Sequence, residues 1–317
     1  MYKILFLSLI FSCSHTHPQR DVAATAKENK KMVRLLLTFD DGPSIEPDHS
    51  TKTILDELEA QKIKAAFFVL TGPDQFGYHR KSILRANNWQ NSKTRGKDFV
   101  NIPTVYAKAE TPAGFELLKR EASDGHVIAC HWGGNYVSQF KLHPNRLKES
   151  AYDSDGDGKI DRVTEPGNAL ESDLLQCIAR VTQVYDEIGI EYRPQYIRPP
   201  LWKYKLSDKL DARPTYRALG LKMILTDAKL FDGGYRWAGF VLDSWLINEV
   251  KDAIKSGKKD IILTLHDSNP KTAGDFRYVL SEIRRKMFNF GYKENIDWKF
   301  VDNTEDVKEI LDSFASP

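Results

Sequence analysis

Short apolar, β-prone runs alternate with stretches of helical periodicity along residues 32–317, and that alternation admits few folds. The first run, 35–39, is stopped by Gly42-Pro43, so Asp40 and Asp41 sit where the chain turns out of the core. Ile54, Leu55 and Leu58 then recur at helical spacing, and 64–70 is the next strand, closed by Thr71-Gly72-Pro73. Strand, helix, strand at this spacing reads as a βαβ unit with parallel strands. The pattern continues as a helix over 111–124, a strand over 126–130 and a helix over 171–188 on the stripe Leu174, Leu175, Ile178, Val181, Val184 and Tyr185. A strand leads to Ile197, a helix covers 211–218, and strand 221–226 is followed by helix 240–256. Strand 261–265, helix 276–288, strand 298–301 and helix 305–314 complete the chain, with no second core or linker inside 32–317. Residues 74–112 break the alternation: Trp89, Phe99 and Tyr106 stand among polar residues in a long excursion, the kind of loop that often carries function.

The first 31 residues do not belong to this pattern. Lys3 precedes a short apolar stretch ending in Ser12-Cys13, which reads as an export signal and not as a fold element. A small residue before Cys resembles a bacterial lipoprotein processing site, so Cys13 is expected to be the lipidated first residue of the mature chain. Residues 1–13 are then a signal segment, 14–31 a polar tether, and membrane contact comes only through the lipid at Cys13. The expected location is the periplasm or cell envelope. With a formal net charge of +2 from nearly balanced signs, the 317-residue chain lacks the clustered basic face of a nucleic-acid binder. Cys130 and Cys177 remain. An oxidising compartment would let them pair, but sequence cannot put them within bridging distance, and a free buried thiol is the commoner role.

Five strands end in residues with complementary chemistry: Asp40-Asp41, His131, Arg198, Asp227 and His266. In a parallel barrel all strand C-termini face one rim, where chemistry collects. Adjacent carboxylates repel unless a cation lies beside them, so one Asp holding a metal and the other left as a base accounts for the pair. Without partners, Asp-Asp-Gly reads more readily as a turn whose side chains bond local backbone. His131 and Asn135 are four apart and meet on one face if this stretch makes a helical turn. Arg198, followed by two prolines, is rigidly presented and able to clamp a carboxylate.

Residues 153–161, Asp-Ser-Asp-Gly-Asp-Gly-Lys-Ile-Asp, follow the start of an EF-hand-like loop. Asp153, Asp155, Asp157 and Asp161, with the backbone oxygen of Lys159, would converge on Ca2+. The twelfth loop position is Thr164, with Glu165 one later, so the expectation is a shorter calcium loop, distinct from the catalytic site. A merely solvated acidic turn is the other reading.

Taken together, the chain resembles the NodB-type polysaccharide deacetylases, carbohydrate esterase family 4. The resemblance runs through Thr38-Phe39-Asp40-Asp41-Gly42-Pro43-Ser44, Ala66-Phe67-Phe68-Val69, Gly125-His126 with His131, Arg198-Pro199-Pro200, Asp227 and Leu265-His266-Asp267, in family order. It implies an α/β fold, a distorted and incomplete (β/α) barrel, with a long loop insertion and the calcium-like loop added. It also implies metal-dependent hydrolysis of acetyl groups on N-acetylated sugars. By resemblance, Asp41 and His131, with Asn135, bind a divalent ion, Zn2+ or a Co2+- or Ni2+-like neighbour. Asp40 is the base, Arg198 holds it, His266 is the acid and Asp227 bonds the far nitrogen of His266. The Leu201 backbone N–H helps hold the oxyanion, with Trp202 beside it. The sequence departs from the family in three places. Asn135 replaces a second His, Leu201-Trp202 replaces Tyr-Gly, and Leu230-Phe231 stands near where a Trp is usual. These changes bear on metal affinity and on the sugar pocket. Export makes peptidoglycan N-acetylglucosamine the expected substrate, with chitin oligosaccharide or an exopolysaccharide as alternatives. An inactive glycan-binding relative is the reading from another class.

Overall fold

The structure, a computed structural model, describes residues 30–45, 51–71, 108–133, 151–152, 161–162, 166–202, 204–207, 210–229, 248–268 and 270–316. Lys31–Pro317 forms one compact unit. Among the described residues its main sheet has nine strands: β1 Lys31–Gly42, β2 Ala65–Thr71, β3 Val127–Gly133, β4 Tyr196–Ile197, β5 Lys222–Ile224, β6 Ala228–Lys229, β7 Asp260–His266, β8 Ile296–Phe300 and β9 Ala315–Ser316. Their order is β6-β7-β1-β2-β3-β4-β5-β9, with β8 on the first half of β1. Every pairing in this sheet is parallel except β9 with β5. The order has two ends among the described residues, so the sheet curls as an incomplete (β/α) barrel and stays open.

Both faces of the central strands are buried, which is why they read as continuous apolar runs and not as alternating ones. Leu35, Leu37 and Phe39 of β1 join Ala65, Phe67 and Val69 of β2 and Ile261, Leu263 and Leu265 of β7 on one face. Against that face pack α1 (Thr51–Ala60), α2 (Pro112–Ser123), α3 (Pro166–Glu187), α4 (Arg213–Ala218) and α5 (Phe276–Glu294). The opposite face begins with Leu36, Ala66, Val127 and Ile262, and α6 (Thr304–Phe314) covers it through Val307, Ile310 and Leu311. Further along the same face the residues turn polar. Register makes Leu36 level with Ile262, Thr38 with Thr264 and Asp40 with His266. Period-two alternation thus delivers both Asp40 and His266 to the C-terminal rim on the α6-covered side.

The helix ends follow from capping chemistry. The Thr111 hydroxyl accepts the Gly114 N–H at the start of α2, with Pro112 in the first turn. Asn303 does the same for Asp306 N–H in α6. On α3, Leu174, Ile178, Val181 and Val184 are buried, whereas Leu175 faces out at 45% exposure, one step off the stripe. α5 runs six residues beyond the sequence expectation and ends at Asn295, in the left-handed conformation that commonly closes helices.

Cys130 and Cys177 form a disulfide across a Cα–Cα distance of 6.0 Å, the pairing that sequence left open beside the commoner free thiol. Cys130 faces the helices from β3, and Cys177 lies on the buried stripe of α3. Facing positions in a strand–helix contact bring together residues 47 apart in sequence. Among the described residues, no helix is long and apolar enough to cross a membrane.

Candidate active site

Asp41 stands out of the ordinary ladder. The β1–β2 register shifts between Asp40 and Gly42, so Asp41 is the bulged residue, and its φ of 72° is left-handed. A bulge re-aims one side chain without disturbing its neighbours' alternation. Here it answers the problem that adjacent strand residues point to opposite faces: Asp40 keeps the inner face while Asp41 turns over the strand end. The Asp41 carboxylate then lies between two histidines. His131 Nε2 is 3.1 Å from Oδ1, and His266 Nε2 is 4.0 Å from Oδ2.

Arg198 organises the rest. It is completely buried, stacks on the Phe68 ring at 4.0 Å, and donates from Nη1 to Asp40 Oδ1 at 2.7 Å and to Thr38 Oγ1 at 2.8 Å. Its backbone works on the other arm of the site. The Arg198 N–H donates to the Cys130 carbonyl at 3.0 Å, and its own carbonyl accepts His131 Nδ1–H at 2.8 Å. One residue therefore fixes the Asp40 carboxylate and the His131 ring together. Burial pulls the guanidinium below arginine's usual value, with the Asp40 carboxylate opposing it. Burial would also lower His131, but the charges on Asp40 and Asp41 outweigh it and the ring titrates above its ordinary value.

These contacts bear on a metal ion. A carbonyl only accepts, so Nδ1 of His131 carries a proton and the lone pair of the neutral ring is on Nε2, facing Asp41. An imidazole nitrogen and a carboxylate oxygen that converge this way fit a Zn2+-type ion, and the carbonyl behind the ring is the usual orienting partner of a ligating histidine. Among the described residues no group of three His, Cys, Asp or Glu forms a ligand set; Asp41 and His131 would supply two donors of a larger set. Asn135, the expected third, lies outside the described residues. The conditional helical turn from His131 does not form at its start, because β3 continues through Gly133.

Asp227 is a correction. Ala228 is level with Leu263, which puts Asp227 beside Ile262, four residues before His266 and roughly 13 Å along the strand. Its carboxylate takes the Ile262 N–H at 3.2 Å and pairs with Lys258. It does not reach His266, so it cannot hold that ring's far nitrogen. Trp202 closes a single 3-10 turn, Pro200–Trp202, at φ 55°, and Leu201 N–H lies in the same turn. Of the calcium loop, Asp153, Asp155, Asp157 and Lys159 lie outside the described residues. Asp161 is in a two-residue strand that pairs with Tyr152, so the two ends of that loop are held together.

Sequence reasoning gave no role to Asp267 or Thr51. Asp267 is fully buried, accepts the Thr51 hydroxyl at 2.6 Å, and lies against Gly42, where an added Cβ would fall inside its carboxylate. Burial pushes its pKa up to about 7, the Thr51 bond opposing. The available signals were its adjacency to His266 and the position of Thr51 at a helix start. His126 is buried on the helix-covered side, its Nδ1 accepting the Ala65 N–H, and is no part of the site.

A sequence profile of the family described as "Polysaccharide deacetylase" matches residues 26–224. No curated protein sequence matches. Among solved structures, the chain is similar to the chitin deacetylase from the fungal pathogen Colletotrichum lindemuthianum, at 15% identity and a TM-score of 0.50, covering 90% of this chain and 92% of that one. It is also similar to the catalytic domain of peptidoglycan N-acetylglucosamine deacetylase from Eubacterium rectale, at 18% identity and a TM-score of 0.49, covering 89% and 93%. Peptidoglycan deacetylase PdaC from Bacillus subtilis matches at 17% identity and a TM-score of 0.44, covering 90% and 93%.

Proposed function

Since the chain belongs to the polysaccharide deacetylase family and is a deacetylase hydrolase, we propose that it removes acetyl groups from the N-acetylglucosamine of an envelope polysaccharide, most simply peptidoglycan. The observation that carries this reading is the Asp41–His131 pair at 3.1 Å, flanked by Asp40 on its arginine and by His266. A Zn2+-type ion held by Asp41 and His131, with Asn135 as the third donor, would polarise the amide carbonyl and acidify water. Asp40 takes the proton of the attacking water. Arg198 keeps that carboxylate oriented through a buried bond to Oδ1. The Leu201 N–H donates to the oxyanion, and His266 protonates the leaving sugar amine. Breaking the C–N bond then yields acetate and a free amino sugar.

Envelope location is supported by the leader at residues 1–13 and by the Cys130–Cys177 disulfide, a bond type that persists outside the reducing cytosol. In this reading Cys13 carries a lipid anchor. Loss of label from a fatty-acid analogue in Cys13→Ala is the expected result, and an unlabelled wild type contradicts it. The Asp153–Asp161 loop takes Ca2+ in the same reading, and calorimetry with Ca2+ that gives no heat would remove it.

The function is tested by mass spectrometry of peptidoglycan fragments incubated with the Zn2+-loaded protein. Each turnover removes one acetyl group, and Asp40→Asn and His266→Ala are expected to slow it about 10²–10⁴-fold. Peptidoglycan left unchanged while chitin oligosaccharides lose acetyl groups would move the substrate assignment; full activity in either variant would refute the roles.

A further inference from the structure

We infer that Thr51 and Asp267 are positioning residues that fix the Asp41 turn against the end of the strand carrying His266, and so set the geometry of the metal-binding arm. The inference rests on the functional reading above.

Thr51 opens α1 and is completely buried. It clasps Ser44 in both directions: Thr51 N–H donates to the Ser44 carbonyl at 2.9 Å, and Ser44 N–H donates to Thr51 Oγ1 at 2.7 Å. Oγ1 thus accepts from Ser44 and donates its single proton to Asp267 Oδ2, 2.6 Å away. The same Asp267 carboxyl fills the space beside the Gly42 Cα, which only glycine leaves open.

The five-residue turn is thus held at three points on its two sides. Arg198 holds Asp40, Asp267 packs on Gly42, and Thr51 holds Ser44. Asp41 lies between the first two of these points, in a left-handed conformation that is uncommon outside glycine, asparagine and aspartate. Asp267 directly follows His266, so one carboxyl ties the Asp41 turn to the strand end that presents the acid. Neither Thr51 nor Asp267 touches the reacting groups, and two buried polar side chains joined to each other at a turn have no solvent partner to fall back on.

The test compares Thr51→Val, which keeps the shape and loses the hydroxyl, with Thr51→Ser, which keeps the hydroxyl. Asp267→Ala and Asp267→Asn form the second pair, because Asn retains an acceptor for Thr51. Zn2+ affinity of the metal-free protein is read by competition with a chromophoric chelator, beside kcat, KM and circular dichroism. Thr51→Val and Asp267→Ala are expected to bind Zn2+ about 10–100-fold more weakly, the range for residues that orient a ligand from behind. Their kcat falls while KM stays, and Thr51→Ser and Asp267→Asn recover most of both. Should Thr51→Val not fold, the Asp267 pair carries the same comparison. Wild-type affinity in both Thr51→Val and Asp267→Ala, or equal loss in Thr51→Ser and Thr51→Val, overturns the inference alone. Wild type that takes up no Zn2+ overturns the functional reading beneath it as well.

Discussion

Arg198 shows what a single buried charge commits its neighbours to. Its guanidinium and the Asp40 carboxylate are both shut off from water, so neither survives the loss of the other without a full desolvation penalty. Arg198→Met should lower unfolding free energy by about 3–5 kcal/mol in urea titration and abolish turnover. Arg198→Lys keeps the charge but not the planar fork and should recover part of the stability with little of the activity. An Arg198→Met protein as stable as wild type would contradict the buried pair. Glu121 makes a separate case. It is completely buried in α2, and among the described residues neither carboxylate oxygen has a hydrogen-bond partner. Burial, and secondarily the charge of Asp267, raises its pKa well above the ordinary 4.5. The folded state then binds a proton that the unfolded chain releases above about 4.5, so stability falls as pH rises through this window. Glu121→Gln should therefore be more stable than wild type at pH 8, with the difference shrinking toward pH 4. Urea midpoints at the two pH values check it, and a variant less stable at pH 8 contradicts it.

At the scale of elements, alternation was legible and the special backbone positions were not. The runs Leu36-Thr38-Asp40 and Ile262-Thr264-His266 can be read from period two alone, and the observed register brings them level. What alternation cannot reveal is an extra residue. The bulge at Asp41 depends on tertiary contacts at Gly42 and Ser44, and local propensity carries no sign of it. Asp227 failed for a related reason. A strand's polar end says nothing of where that strand stands against its neighbour, and a slide along β7 put Asp227 at Ile262. Asp227→Asn is accordingly expected to keep its kcat within about two-fold of wild type, well short of the 10²–10⁴-fold that loss of a general acid's contribution would bring. Deacetylation rates of the two proteins across pH 5–9 decide it. A collapse in kcat with a shifted pH profile would restore its expected place beside His266.

For the whole molecule, the disulfide is the clearest feature that sequence left undetermined, because it depends on how α3 lies on β3. Closing 47 residues of chain restricts the unfolded state by about 4 kcal/mol in the loop-entropy account. Cys130→Ala with Cys177→Ala should lower the unfolding free energy by up to that amount while the oxidised wild type is unaffected by air. Equal stability of wild type with and without reductant would show that the bond does not form in solution. The barrel itself, the helix-covered outer face and the family were legible over most of the chain, because hydrophobic pattern determines layers before it determines contacts. The central claim, that Asp41 and His131 hold one divalent ion at the rim, is tested most directly by a zinc-edge anomalous difference map from crystals of the Zn2+-loaded protein. The account expects one peak about 2.0–2.2 Å from an Asp41 oxygen and from His131 Nε2; a loaded, active protein whose ion lies elsewhere would contradict it.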